Sequence, residues 1–242
     1  MTAIQPRALN PGRGAEPLKL GTLQAHGGVG GGYSQNGGVA GDIGGGIEGQ
    51  VAPDLAIGWD AMTGYEGAPG GTVTYIVPTS SYLTFQYNPS GFTNLAVRGA
   101  GGIGVDALGL KTAIVEGTHS TNSSTSPWGA VQVGVVTSAN LGPVEGWLDF
   151  DIGVKKFVGG TDNKIIALTG GSDVTSTSYS GGVTGGVRVP LSDSFAVFGA
   201  ANVTGLVLLD DASGNPALQP QPNFVPNADV QVGITYAFPL PN

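Results

Sequence analysis

The chain has no cysteine, so neither a disulfide framework nor a thiolate metal site is available to it. Charge is also scarce. Asp, Glu, Lys and Arg together make 11 % of its 242 residues, where an average soluble domain carries about 25 %, and a soluble surface of this size would need more. Basic residues are outnumbered nine to seventeen, and a formal charge of −8 argues against a sequence-independent grip on a phosphate backbone. Nucleic acid is therefore not an expected partner. No run of apolar residues is long enough for a transmembrane helix. Residues 1–20 lack an apolar stretch and hold three prolines, so they are not a secretory signal peptide. The two histidines, His26 and His119, have no HExxH, GxSxG or P-loop spacing around them. The expectation is no enzyme, no cofactor and no metal.

Glycine and alternation are what the chain has instead. There are 44 glycines, and 40 % of the residues are apolar, too many for a chain that cannot collapse. Over residues 37–52 one parity reads Val39, Ile43, Ile47 and Val51, while the other reads Asp42, Glu48 and Gln50. Over residues 228–238 Val230, Val232, Ile234, Tyr236 and Phe238 face one way and Asp229, Gln231 and Thr235 the other. A period of two is a β-strand, because successive Cβ atoms point to opposite faces. Long alternating strands without a competing helical period predict an all-β fold: a closed antiparallel up-and-down transmembrane β-barrel, apolar outside and polar inside.

Residues 1–17, with Pro6, Pro11 and Pro17, read as an extended leader, residues 18–238 as one barrel domain, and residues 239–242 as a tail. Twelve strands are expected, with eight, ten or fourteen as alternatives. They run over 18–33, 37–52, 55–65, 73–77, 83–87, 95–103, 108–114, 131–135, 148–154, 179–189, 195–203 and 228–238. One division is a choice, two short strands rather than one interrupted by Pro78; the strand from Leu95 turns near 104–106, after which Leu108, Leu110, Thr112 and Ile114 oppose Lys111. Short turns at 52–54, 78–81, 104–106, 138–143 and 190–193 then fall on the side of the termini. The longest connections, 117–127, 159–173 and 209–227, fall opposite, as in outer-membrane barrels.

Two phrases, residues 45–57 (GGIEGQVAPDLAI) and 185–197 (GGVRVPLSDSFAV), each carry a glycine-rich strand to Pro, turn at Asp and resume alternation. The last strand, 232–238 (VGITYAF), ends on Tyr-x-Phe. These resemble the strand-turn-strand units and closing strand of small bacterial outer-membrane β-barrel proteins of the OmpA and opacity type, and cover about a sixth of the chain. The chain departs from that pattern by continuing through Pro239, Leu240, Pro241 and Asn242. The resemblance implies an outer-membrane location, a signal peptide removed from this sequence, an artificial Met1 and a lipid bilayer as partner.

On the inward parity the charges would be Asp42, Glu48, Asp60, Arg98, Asp106, Lys111, Asp149, Asp151, Lys155, Arg188 and Asp229. One reading is a hydrated, acidic, weakly cation-favouring lumen. The other is acids and bases that pair across a narrow barrel and fill it. Inward glycines (Gly44, Gly46, Gly58, Gly102, Gly104, Gly134, Gly182, Gly186) argue for space. Asp149 and Asp151 lie two apart on one face, a spacing that suits acid–base chemistry or Ca²⁺, with Lys155 on the same face to balance them. The outward aromatics Tyr33, Tyr65, Phe195, Tyr236 and Phe238 lie where interfacial girdles sit. The expected function is a passive pore or small-solute channel, with small solutes or cations as its cargo. A non-conducting membrane anchor or adhesin is the alternative. A soluble β-sandwich or viral capsid jelly roll is a third class, which explains the missing signal better and the scarce charge worse.

Overall fold

The computed structural model describes residues 12–34, 39–67, 73–111, 121–157, 177–209 and 223–240. Ten antiparallel strands follow in chain order: β1 (Thr22–Ser34), β2 (Val39–Ala52), β3 (Leu55–Gly67), β4 (Val73–Tyr87), β5 (Leu95–Lys111), β6 (Thr121–Leu141), β7 (Val144–Phe157), β8 (Thr177–Pro190), β9 (Phe195–Leu209) and β10 (Asn223–Pro239). Each pairs with its sequence neighbours, and β1 pairs with β10 to close the barrel. Closure leaves no sheet edge with unpaired amides, as a spanning β structure requires.

The strand number is ten rather than twelve because neither of the two expected breaks occurs. Pro78 lies inside β4. The β3–β4 ladder omits the two positions around it, resuming from Thr63↔Thr79 to Glu66↔Ile76, while Pro78 still pairs with Asp106 on the β5 side. The missing N–H of proline thus falls where no ladder bond is made, and Thr63 Oγ1 donates to the Pro78 carbonyl at 3.0 Å. At 104–106 there is no turn; β5 continues through Gly104, Val105 and Asp106, each paired with β6. Its parity is unbroken, so Lys111 occupies a position on the parity of Ile103 and Val105, not that of Arg98 and Asp106. The assignment of Lys111 to the lumen fails on that register, and its side chain lies outside the described residues.

Other boundaries also move. The first strand starts at Thr22, not 18. Residues 121–127, expected in a Ser/Thr loop, are the start of β6, and residues 223–227 the start of β10. The turn expected over 138–143 contracts to Gly142 and Pro143, with Gly142 at φ 73°, a left-handed conformation that glycine adopts freely. The expected loops at 159–173 and most of 209–227 lie outside the described residues, as does His119. Every connection on the side of the termini is short: 53–54, 88–94, 142–143 and 191–194.

The outward face is apolar and exposed. Ile43, Ile103, Val131, Ile152, Val203, Val230 and Val232 are among the side chains left uncovered. Lys111 and Lys156, both at strand ends far from the termini, are the charged residues of outward parity among the described strands. Of the expected girdle, Tyr33, Tyr65, Tyr236 and Phe238 are exposed and Phe195 is half-buried. Tyr236 pairs with Ala25, eight positions below Tyr33 on β1. At about 3.3 Å per residue that is about 26 Å of strand, and a tilt of about 40° brings the two levels about 20 Å apart, near the height of a membrane band. The expected girdle left out Trp59, Phe85, Tyr87, Phe150 and Tyr179, which the alternation also placed on the apolar parity and which face outward and are exposed. Trp59 keeps its Nε1–H satisfied by Ser81 Oγ at 2.7 Å.

Candidate functional site

The lumen holds the polar chemistry of this chain, and its own N-terminal segment runs through it. Arg13, Gly14 and Ala15 are buried inside the barrel. Arg98, on β5, is the centre of that attachment. Its Nη2 donates to the carbonyls of Arg13 and Gly14, its Nε to Gln86 Oε1 at 2.9 Å, and its Nη1 to Asp149 Oδ2 at 3.3 Å. The Ala15 carbonyl accepts from Gln86 Nε2 at 3.0 Å and Asn88 Nδ2 at 2.6 Å. Arg13 reaches across to Glu48 on β2 at 2.8 Å, the Leu18 N–H donates to Gln50 Oε1 at 3.1 Å, and Asn140 Nδ2 donates to Glu16 Oε1 at 2.6 Å. A Cβ on Gly12 would strike Thr235, and one on Gly14 would strike Glu145 and Ser138. The segment therefore touches the wall on several sides and fits only with small residues there.

Further from the termini a second tier closes the interior. Lys155 Nζ pairs with Asp106 Oδ2 at 2.9 Å and lies 4.2 Å from the centre of the Trp128 ring. Trp128 Nε1 donates to the other Asp106 oxygen at 2.7 Å, and Tyr82 packs against Trp128. His26 Nε2 lies 2.8 Å from Asp60 Oδ1 across β2, while Arg188 lies 3.8 Å from Glu145 back at the level of Gly14, near the termini. Asp229 accepts from Asn202 Nδ2 at 3.2 Å, and Asp42 is half-buried on the inward face of β2. Lys155 is thus committed to Asp106 and not to Asp149 or Asp151, which the sequence pairing had assigned to it. Gln132 Nε2 donates to Asp151 Oδ1 at 2.8 Å, and Asp149 pairs with Arg98.

The inward glycines do not leave the lumen empty. At each of the eight named in the sequence, an atom of a neighbouring residue stands within 3 Å of where a Cβ would be. Tyr82 lies over its cross-strand partner Gly102, Trp128 over Gly104, Trp147 over Gly186 and Phe198 over Gly233. Gly46 lets His26 and Asp60 meet above β2. Glycine in a strand interior marks a close approach, and here each one seats a larger inward side chain. Tyr82, Trp128, Trp147 and Phe198 were missed in the sequence. Their signal was an aromatic on the polar parity, which becomes legible only when the register places a glycine opposite.

Among the described residues no three His, Cys, Asp or Glu side chains converge as a metal cluster. Arg98, Asp106, Lys155 and Asp149 have 2–3 % exposure. Water does not wet them as it would the walls of an open channel, and the arrangement holds an interior shut more readily than it passes a solute. A ten-stranded barrel lies just above the size at which side chains alone fill the bore.

These features define a closed, membrane-type β-barrel filled by its own residues. No protein-family model matches the chain, and no curated protein matches it in sequence. Solved structures do match in fold. The translocator domain of the autotransporter NalP from Neisseria meningitidis aligns over 90 % of this chain and 88 % of its own, with TM-score 0.51 and 12 % identity. The β domain of the Bordetella autotransporter BrkA aligns over 89 % and 99 %, with TM-score 0.54 and 10 % identity. At such identities the likeness is one of fold: this chain has the fold of the bacterial outer-membrane β-barrels.

Proposed function

We propose that this protein is a non-conducting outer-membrane barrel that anchors its long connections at the membrane surface, with its lumen closed by residues 12–18. The carrying observation is the burial of Arg13, Gly14 and Ala15 inside the bore, with Arg98 bonded to two of their carbonyls. A solute crossing the barrel would have to displace that segment and the ion pairs around it. The longest connections by sequence, residues 158–176 and 210–222, join strand ends on the side opposite the termini, which supports a role displayed there. The exposed apolar belt supports a lipid bilayer as the partner. A porin-like role has less support, because Glu48, Arg98, Asp106, Asp149 and Lys155, which would line its path, are paired and buried.

Planar-bilayer recording tests the proposal. The intact refolded protein is expected to give no steady channel-sized conductance, whereas a variant lacking residues 1–20 is expected to conduct, with a preference for cations. Steady conductance of the intact protein would overturn the anchor reading. Monomeric solubility at high concentration without detergent would overturn the membrane reading itself.

A further inference from the structure

The lumen contains an oxygen-lined position that its ion pairs do not neutralise. Asp149 and Asp151 project from β7 into the bore, two residues apart. Asp149 gives one oxygen to Arg98, while its Oδ1 is buried and has no partner. That oxygen and the Asp151 Cβ both lie about 3 Å from where a Gly134 Cβ would stand, so the two acids share the space above one glycine. Asp151 bonds to the Gln132 amide nitrogen, and among the described residues no cation pairs with it. Gln132 is 4 % exposed, and its Oε1 is a buried acceptor without a donor. On the other flank Asp151 Oδ2 and Asn202 Oδ1 both lie within 3.5 Å of the Cβ position of Gly182.

We infer that Asp149, Asp151, Gln132 and Asn202 form an intraluminal binding site for a hard divalent cation of the Ca²⁺ type. Calcium takes six to eight oxygen ligands in flexible geometry, from carboxylates, amide carbonyls and water, and the donors here are all oxygens. Two adjacent carboxylates, of which only Asp149 has a guanidinium partner, carry a net negative charge in a space with little water, a state stabilised by a counter-charge. The orphaned Gln132 carbonyl is the second sign, since a buried acceptor left without a donor calls for a ligand. Asp229, bonded to Asn202 from the neighbouring strand, Gln231 beside it and Asp42 on β2 are half-buried, and this less covered part of the wall provides a route inward. This site belongs to the folded barrel and stands whether or not the barrel conducts.

Equilibrium dialysis of the detergent-solubilised protein against ⁴⁵Ca²⁺ at neutral pH and fixed ionic strength is the test, with thermal unfolding in CaCl₂, MgCl₂ and matched NaCl beside it. The expected result is saturable uptake of about one Ca²⁺ per barrel and a melting temperature raised by CaCl₂ above its value in matched NaCl. Asp151→Asn keeps an oxygen for the Gln132 amide, and it is expected to abolish uptake while melting above the parent protein in calcium-free buffer. Glu16→Gln, an exposed acid outside the site, is expected to retain both uptake and the calcium shift. Absence of uptake in the parent, or equal uptake in Asp151→Asn, would overturn the inference. A melting temperature indifferent to calcium, with Asp151→Asn simply more stable, would show an acid pair that holds a proton and no metal.

Discussion

Replacing Arg98 by Met should separate the barrel from its internal segment. The thioether chain keeps much of the aliphatic packing and removes five donors. Four partners lose a donor: Gln86 Oε1, Asp149 Oδ2 and the carbonyls of Arg13 and Gly14. With Arg98 gone, the Asp149 carboxylate, 3 % exposed, loses its base. Removing one partner of a buried ion pair costs about 3–5 kcal/mol, most of it the penalty on the partner left behind. At about 1.4 kcal/mol per power of ten, the unfolding equilibrium of Arg98→Met should move by two to three and a half decades. Urea titration in lipid vesicles, followed by tryptophan fluorescence, measures this. The double variant Arg98→Met/Asp149→Asn removes the stranded charge and should recover more than half of the loss. A single variant within 1 kcal/mol of the parent, or a double variant no better than the single, would refute the account of Arg98 as the base that holds both the acid and the segment. Limited proteolysis reads the second consequence: cleavage after Arg13 should appear in Arg98→Met and be slow in the parent.

Adjacent glycines should respond oppositely. Gly102→Ala meets the Tyr82 ring and should cost about 1–3 kcal/mol as overpacking, while Gly101→Ala has nothing within 4 Å and should gain up to about 1 kcal/mol from reduced chain entropy; urea midpoints compare them. Trp128→Phe removes the donor to Asp106 at 2.7 Å and should cost about 1.5–3 kcal/mol, the scale of hydrogen bonds to charged groups, in the same titration. Ile103→Arg places a charge on the exposed outward face and should cost about 2–4 kcal/mol if that face meets lipid at mid-depth. Refolding yield into vesicles checks it, with Lys156→Ala as a near-neutral control.

The two strand-count errors show where sequence reasoning reached its limit. Breaking at Pro78 and turning at 104–106 each added a strand and reversed the direction of everything after it. Two reversals cancel, so the sides assigned to 53–54, 142–143 and 191–194 survived, and the even strand count with them. Only 88–94, between the two breaks, changed side and joined the short turns near the termini. Proline looked like a break because a central strand has no place for a missing N–H. The ladder omission beside Pro78 supplied that place, and it depends on how β3 meets β4.

Sequence alone determined the parts of this protein that depend on neighbours one or two residues apart. Alternation assigned Asp42, Glu48, Arg98, Asp149 and Lys155 to one face and Ile43, Val131 and Val232 to the other, because side-chain direction reverses at every residue whatever the partner strand. The apolar face and the scarcity of charge followed from the same local rule. Tertiary structure decided what needed register and closure: ten strands, Trp147 seated on Gly186, Lys155 paired with Asp106, and Arg13 held against Glu48 inside the bore. Those contacts join residues 35 or more positions apart in most cases, and parity carries no information about which distant strand supplies the partner. Whether an inward glycine is a gap or a seat is settled by the residue opposite it, which only the closed barrel brings there.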